Sequence, residues 1–207
     1  MKKALASAMA SVFALSLLSA PGASAAEFSR KQMDKMGIFL SNFTECNLQN
    51  VSRRDFIENP ELVVRLGICH HWVNNHKLFS QARKCGGRTL EAGRKLDPKQ
   101  VEAVAARYLD LKFSRHVSVP DFGYHYDGKV YCMEPADGEM AMYVYVTSAI
   151  MNADGDIEIT GSSYYPDAEE QADGDLNVKA VIRPHVYNGK DTWSLVNLSV
   201  RDKPFPD

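Results

Sequence analysis

The 207-residue chain carries 24 basic and 26 acidic side chains, a formal net charge of −2 at pH 7, and no block of like charge. This excludes the basic footprint that nucleic-acid binding requires. The length and an apolar share of 45% are enough for one domain with a real core.

The first residues read as an export leader. Lys2-Lys3 form a positive start, Ala4 to Leu18 an apolar run, and Ala23-Ser24-Ala25 a small-residue cleavage site, so residues 1–25 are expected to be removed. The run is too short and too rich in Ala and Ser to span a membrane. No cysteine stands at the cleavage site, so a lipid anchor is not expected. Losing Lys2 and Lys3 leaves 22 basic against 26 acidic groups, a mature charge of about −4 over residues 26–207. The expected destination is the periplasm or the exterior, with no membrane insertion and no nucleic-acid partner. Cys46, Cys69, Cys85 and Cys132 then favour disulfides, for which three connectivities exist. The expected pairs are Cys69–Cys85 and Cys46–Cys132, the second tying helices to sheet. Free buried thiols and a metal site are the competing readings.

In chain order, Ser29 to Asn42 places Met33, Met36, Leu40 and Phe43 at helical spacing. Residues 45–58 are polar and irregular. A second helix starts at Asn59-Pro60-Glu61, a capping side chain followed by a proline suited to the first turn. Leu62, Leu66, Cys69 and Val73 are its expected buried stripe. Residues 80–95 read as an exposed loop around Cys85-Gly86-Gly87. Asp97-Pro98-Lys99-Gln100 opens a third helix with Val101, Val104, Ala105 and Tyr108 on its apolar face. Residues 111–119 look extended, and Pro120 ends them.

A β-meander follows. Asp127-Gly128 marks a tight hairpin. From Glu139 to Ile150, Met140, Met142, Val144, Val146 and Ile150 alternate with Glu139, Tyr143, Tyr145 and Thr147, the period of a half-buried strand. The turn Asn152 to Gly155 leads to alternation over 156–160, and an acidic loop covers 167–175. Residues 176–187 alternate again, Asn188-Gly189 turns the chain, and Thr192 to Val200 puts Val196, Leu198 and Val200 on one face. The expected fold class is α+β: an N-terminal three-helix segment packed on a C-terminal antiparallel sheet of about six strands.

Phe39-Leu40-Ser41-Asn42-Phe43 and Leu66-Gly67-Ile68-Cys69-His70 with Asn74-Asn75 carry a resemblance, as do Tyr124-His125-Tyr126-Asp127-Gly128, Ala136-Asp137-Gly138-Glu139 and the run Val178 to Pro184. Together they resemble a group of uncharacterised exported bacterial proteins, over nearly the whole mature chain. The element order is similar to cystatin-like and NTF2-like α+β domains. The resemblance implies helices packed on a curved sheet and no particular activity.

The densest polar run is Cys69 to His76. No histidine pair has the spacing of a helical zinc site, and Cys69 and His76 stand about 10 Å apart by helix rise, so no metal is expected. Trp72 is expected to pack, with the histidines at the surface. No Gly-x-Ser-x-Gly elbow occurs, and a Cys–His nucleophile is disfavoured in an oxidising compartment. Asn152, Asp154 and Asp156 imitate the start of a calcium loop, but Ile157 stands where glycine is needed. The expected ligand-binding residues are His70 and Asn74, lining a groove where helix meets sheet, and Tyr124, Tyr143 and Tyr145 from a tyrosine-rich sheet surface. The expected function is a non-catalytic exported binding domain for a protein, peptide or envelope glycan, without a cofactor. The alternatives are a small periplasmic enzyme using His70 with a sheet tyrosine, and a protease inhibitor suggested by the cystatin-like layout.

Overall fold

The computed structural model describes residues 28–134, 141–165, 176–202 and 205. The expected leader, the motif Ala136-Asp137-Gly138-Glu139, Met140 and the 167–175 loop lie outside the described residues.

The first half comprises α1 (Arg30–Thr44), β1 (Asn50–Ser52), α2 (Arg53–Glu58), α3 (Pro60–Asn74), the short strands β2 (Ser80–Gln81), β3 (Lys84–Cys85), β4 (Arg88–Thr89) and β5 (Arg94–Leu96), and α4 (Pro98–Leu109). The second half holds β6 (His125–Tyr126), β7 (Tyr131–Met133), β8 (Tyr143–Met151), β9 (Ile157–Tyr164), β10 (Leu176–Tyr187) and β11 (Lys190–Arg201). The chain is α+β, with its helices in the N-terminal half. The strands form two antiparallel sheets rather than one: a five-stranded sheet ordered β1-β11-β10-β9-β8 and a four-stranded sheet ordered β2-β5-β7-β6, beside a β3–β4 ribbon. The Asp127-Gly128 hairpin forms, but β7 pairs with β5 instead of continuing into β8. Residues 80–95 are therefore structured, not an open loop. Residues 45–58 also hold a fourth helix, α2, started by a Ser52–Asp55 capping box.

Helix starts at Ser29, Asn59 and Asp97 are capped as their sequences require. The buried residues of α3 are Val63, Val64, Leu66, Gly67, Ile68, His70 and His71, with Leu62 and Cys69 partly buried against the core, while Val73 is exposed. Of the expected stripe only Val73 is misplaced, and burial spreads to a second side because α3 also packs on α4. A Cβ on Gly67 would stand 2.9 Å from the Val101 Cα, so a side chain there would separate the helices. The expected pattern of β8 also breaks. Its pairing with β9 shifts register between Val146 and Ser148, which buries Ala149 and leaves Ile150 51% exposed. In β11, Val196 falls at a similar bulge, and Leu195 takes the core position.

α1 lies along the outer edge of β8. Ser41 Oγ accepts from Val144 N at 2.9 Å, Thr44 Oγ1 donates to Met142 O at 2.5 Å, and Arg30 Nη1 donates to Val146 O at 2.7 Å. Side chains of the helix thus satisfy backbone groups that an edge strand would otherwise present to another chain.

The disulfides are Cys46–Cys69 and Cys85–Cys132, correcting both expected pairs. Helix packing decides the first, because the turn after α1 carries Cys46 to Cys69 on α3. The small sheet decides the second, because β5 and β7 pair and bring Cys132 to the Cys85 ribbon. Among the described residues, no helix is long and apolar enough to cross a membrane.

Candidate binding groove and the polar cluster behind it

β9 pairs with β10 only as far as Ile182, so the far end of the β10–β11 hairpin extends beyond the sheet. Its turn has positive φ at Asn188 (50°) and Gly189 (73°), the backbone that a two-residue hairpin turn requires. The arm is held by α4: His185 Nε2 lies 3.0 Å from Arg107 O, and His185 Nδ1 is 3.7 Å from Asp110.

A groove of about 580 Å³ lies between this arm, α1 and the end of α4. Phe39, Tyr108, Trp193, Ile38 and Pro184 supply apolar surface, and Gln32, Lys35, Asn42, Arg107, Asp191 and Thr192 supply polar groups. Phe39 stacks on Tyr108 with centroids 5.6 Å apart and meets Trp193 edge-on at 6.0 Å, fixing an aromatic wall. Ile38 is 69% exposed although it lies on a packed helix. A second hollow of about 290 Å³ shares Arg107, Asp191 and Thr192 and adds Lys190. The rim therefore carries Lys35, Arg107 and Lys190 against Asp191. None of these four makes an ion pair among the described residues.

Behind Asn42 and Tyr108 is a buried polar cluster. Asn42 Oδ1 lies 2.8 Å from His70 Nδ1 and accepts from Asn74 Nδ2 at 3.4 Å, while Asn42 Nδ2 donates to Ile38 O at 2.8 Å. With Asn42 Oδ1 as acceptor, His70 donates from Nδ1. The His70 ring packs 4.9 Å from Tyr108 and is only 5% exposed. Burial, reinforced by the positive potential of His71 and Arg107, pushes the His70 pKa down to about 4. Burial pushes Glu45 up, partly offset by a hydrogen bond from Asn74. It also raises Tyr108, against the pull of Arg107. His70 is therefore a neutral imidazole near pH 7 that holds Asn42 and Tyr108 in place. All four cysteines are paired, which removes the thiol that a Cys–His nucleophile would need.

The expected site residues do not form one site. His70 and Asn74 meet at Asn42, and His70 and His71 are buried rather than on the surface, while His76 is exposed. Tyr143 and Tyr145 lie on the outer face of the five-stranded sheet, Tyr143 with Tyr164 at 6.0 Å and Tyr145 under the Arg30 guanidinium at 4.2 Å. Tyr124 belongs with the small sheet, bridged to Val119 and 5.9 Å from the Phe122 ring. Sequence reading missed Asn42, Arg107 and Trp193 as site residues. The one available signal was Asn42, an amide inside the apolar run Phe39 to Phe43.

No protein-family model, curated protein or solved structure matches the chain.

Proposed function

We propose that the protein is an exported, non-catalytic binding domain whose groove between α1 and the β10–β11 arm takes an acidic peptide segment carrying an aromatic or aliphatic anchor. The observation that carries this reading is the combination of a groove with Ile38 and Trp193 at its apolar surface, backed by the buried Phe39 and Tyr108 rings, and three rim cations against one acid, on a chain of net charge −2. Ile38 and Trp193 offer the contact area of an anchor pocket, with Phe39 packed behind them. Two disulfides fit an oxidising compartment and so support export.

One observation favours an acid–base enzyme instead, the contact of His70 with Tyr108, a tyrosine from α4 rather than from the sheet. Its weakness is access, since both side chains are buried, His70 at 5% and Tyr108 at 4% exposure.

The groove contains Trp193, one of two tryptophans in the chain, so ligand entry is readable as a fluorescence change. Acidic, neutral and basic decapeptides, each with one central phenylalanine, are titrated against the mature chain and against Lys35→Glu/Arg107→Glu. Binding of the acidic peptide, weakened by salt and lost in the double variant, is expected. Tyr143→Ala/Tyr145→Ala is expected to bind as wild type. Equal affinity for all three peptides, or an unaffected charge-reversal variant, overturns the reading.

A further inference from the structure

The Cys85–Cys132 disulfide has an unusual set of neighbours. The Sγ atoms of Cys85 and Cys132 and a carboxylate oxygen of Asp127 all lie within 4.8 Å of one another. Asp127 Oδ1 accepts from Lys129 N and Val130 N, both at 2.9 Å, which locks the carboxylate in the hairpin turn. Its other oxygen, Oδ2, faces Cys85 Sγ at 3.9 Å. His125 is the direct cross-strand partner of Cys132, so the two side chains leave the β6–β7 ribbon on the same face, and Asp127 follows two residues on. His125 Nδ1 lies 3.5 Å from Ser118 Oγ, while its Nε2 lies against Gly86, the residue after Cys85. A Cβ on Gly86 would come within 2.5 Å of that nitrogen, and Gly86 also has φ +53°, so the close approach depends on glycine.

We infer that reduction of Cys85–Cys132 unmasks a zinc site formed by Cys85, Cys132 and Asp127, whose ligand atoms are already grouped, with His125 Nε2 turning from its place against Gly86 to become the fourth ligand. Two thiolates, a carboxylate and an imidazole make a donor set of the kind tetrahedral Zn²⁺ takes. With Zn–S near 2.3 Å and Zn–O near 2.0–2.2 Å, a tetrahedral ion separates sulfur from oxygen by about 3.6 Å and the two sulfurs by about 3.8 Å. The first separation is close to the 3.9 Å already present. The second needs only side-chain rotation, since the Cα atoms stand 6.2 Å apart. Ser118 and the Lys129 and Val130 amides are the outer groups that orient the histidine and the carboxylate. A metal on Nε2 selects the tautomer whose Nδ1–H donates to Ser118 Oγ.

The exchange balances with a dithiol as reductant. Its two thiols pass two electrons and two protons to the protein disulfide, giving a cyclic disulfide and two protein thiols. Zn²⁺ then displaces the two thiol protons into solvent. The site is closed by oxidation and opened by reduction.

The test uses the mature chain reduced by a phosphine, with Co²⁺ as a spectroscopic stand-in, Zn²⁺ in competition, and circular dichroism to follow folding. One Co²⁺ per chain with thiolate charge-transfer and tetrahedral d–d bands is expected in the reduced protein and absent in the oxidised one. Cys85→Ser/Cys132→Ser, reduced in the same way, controls for the thiols of Cys46 and Cys69 and is expected to show neither band. Asp127→Asn and His125→Ala are each expected to weaken binding at least tenfold. The same bands in the Cys85/Cys132 variant, unchanged affinity in both ligand variants, or a reduced chain that unfolds and is not refolded by zinc overturns the inference.

Discussion

His70 makes the stability of this protein depend on pH above the ordinary carboxylate range. Its pKa falls from 6.5 to about 4 on folding, because the ring is removed from water and faces His71 and Arg107. A base with a depressed folded pKa binds fewer protons in the native state than in the unfolded one. Stability is therefore complete above pH 6.5 and is lost as the pH falls toward 4. Integrating the linkage relation between those two values gives a loss of about 2 kcal/mol between pH 7.5 and pH 5 from this residue alone. His71, also lowered by burial, adds in the same direction, whereas Glu45, raised by burial, opposes it. Asp127 and Asp156 are held below the usual carboxylate range by their hydrogen bonds, so their losses come only below about pH 4. The measurement is urea unfolding at intervals from pH 7.5 to 5, on wild type and on His70→Gln. The variant starts less stable because the bond to Asn42 changes, but its pH dependence should be shallower by about 2 kcal/mol over the window. Parallel curves for the two proteins would refute the placement of a neutral, buried imidazole at this position.

Two further outcomes test the fold that holds the groove. Gly37→Ala pits helix propensity, which favours alanine by about 1 kcal/mol, against a Cβ that would stand 2.6 Å from Val144 O. Relieving that clash strains the Ser41, Thr44 and Arg30 bonds to β8, each worth about 1 kcal/mol, so chemical denaturation should show a net loss of about 1–2 kcal/mol; a gain would mean that α1 does not lie against this edge. Cys46→Ser/Cys69→Ser opens a link between residues 23 apart in sequence and should lower stability by about 3 kcal/mol, with a fall in the thermal midpoint that tryptophan fluorescence and circular dichroism report together.

Local chemistry was readable where it acts within a few residues. Ser29, Asn59 and Asp97 cap their helices, and Asp127-Gly128 and Asn188-Gly189 turn their hairpins, because each signal concerns backbone groups at most a turn away. The buried face of α4 was also readable, since one side of it meets the core. The stripe on α3 was readable only in part: Leu66 is buried as its spacing requires, but the helix is covered on more than one side and Gly67, not a large apolar residue, marks the contact with α4. Ile150 and Val196 were misplaced for another reason. One extra residue in a strand reverses every later side chain, and the alternation carries no mark of where the bulge falls.

By itself the sequence determined the class of the fold, the helix starts and the tight turns, all of which depend on hydrogen bonds and torsion angles within a few neighbouring residues. Tertiary structure alone decided that the described strands divide between separate sheets, which cysteines pair, and that Phe39, Arg107 and Trp193 share a groove while Tyr124 and Tyr143 do not. Those outcomes follow from contacts between residues tens of positions apart, where shape and close packing choose among partners that local pattern leaves equivalent.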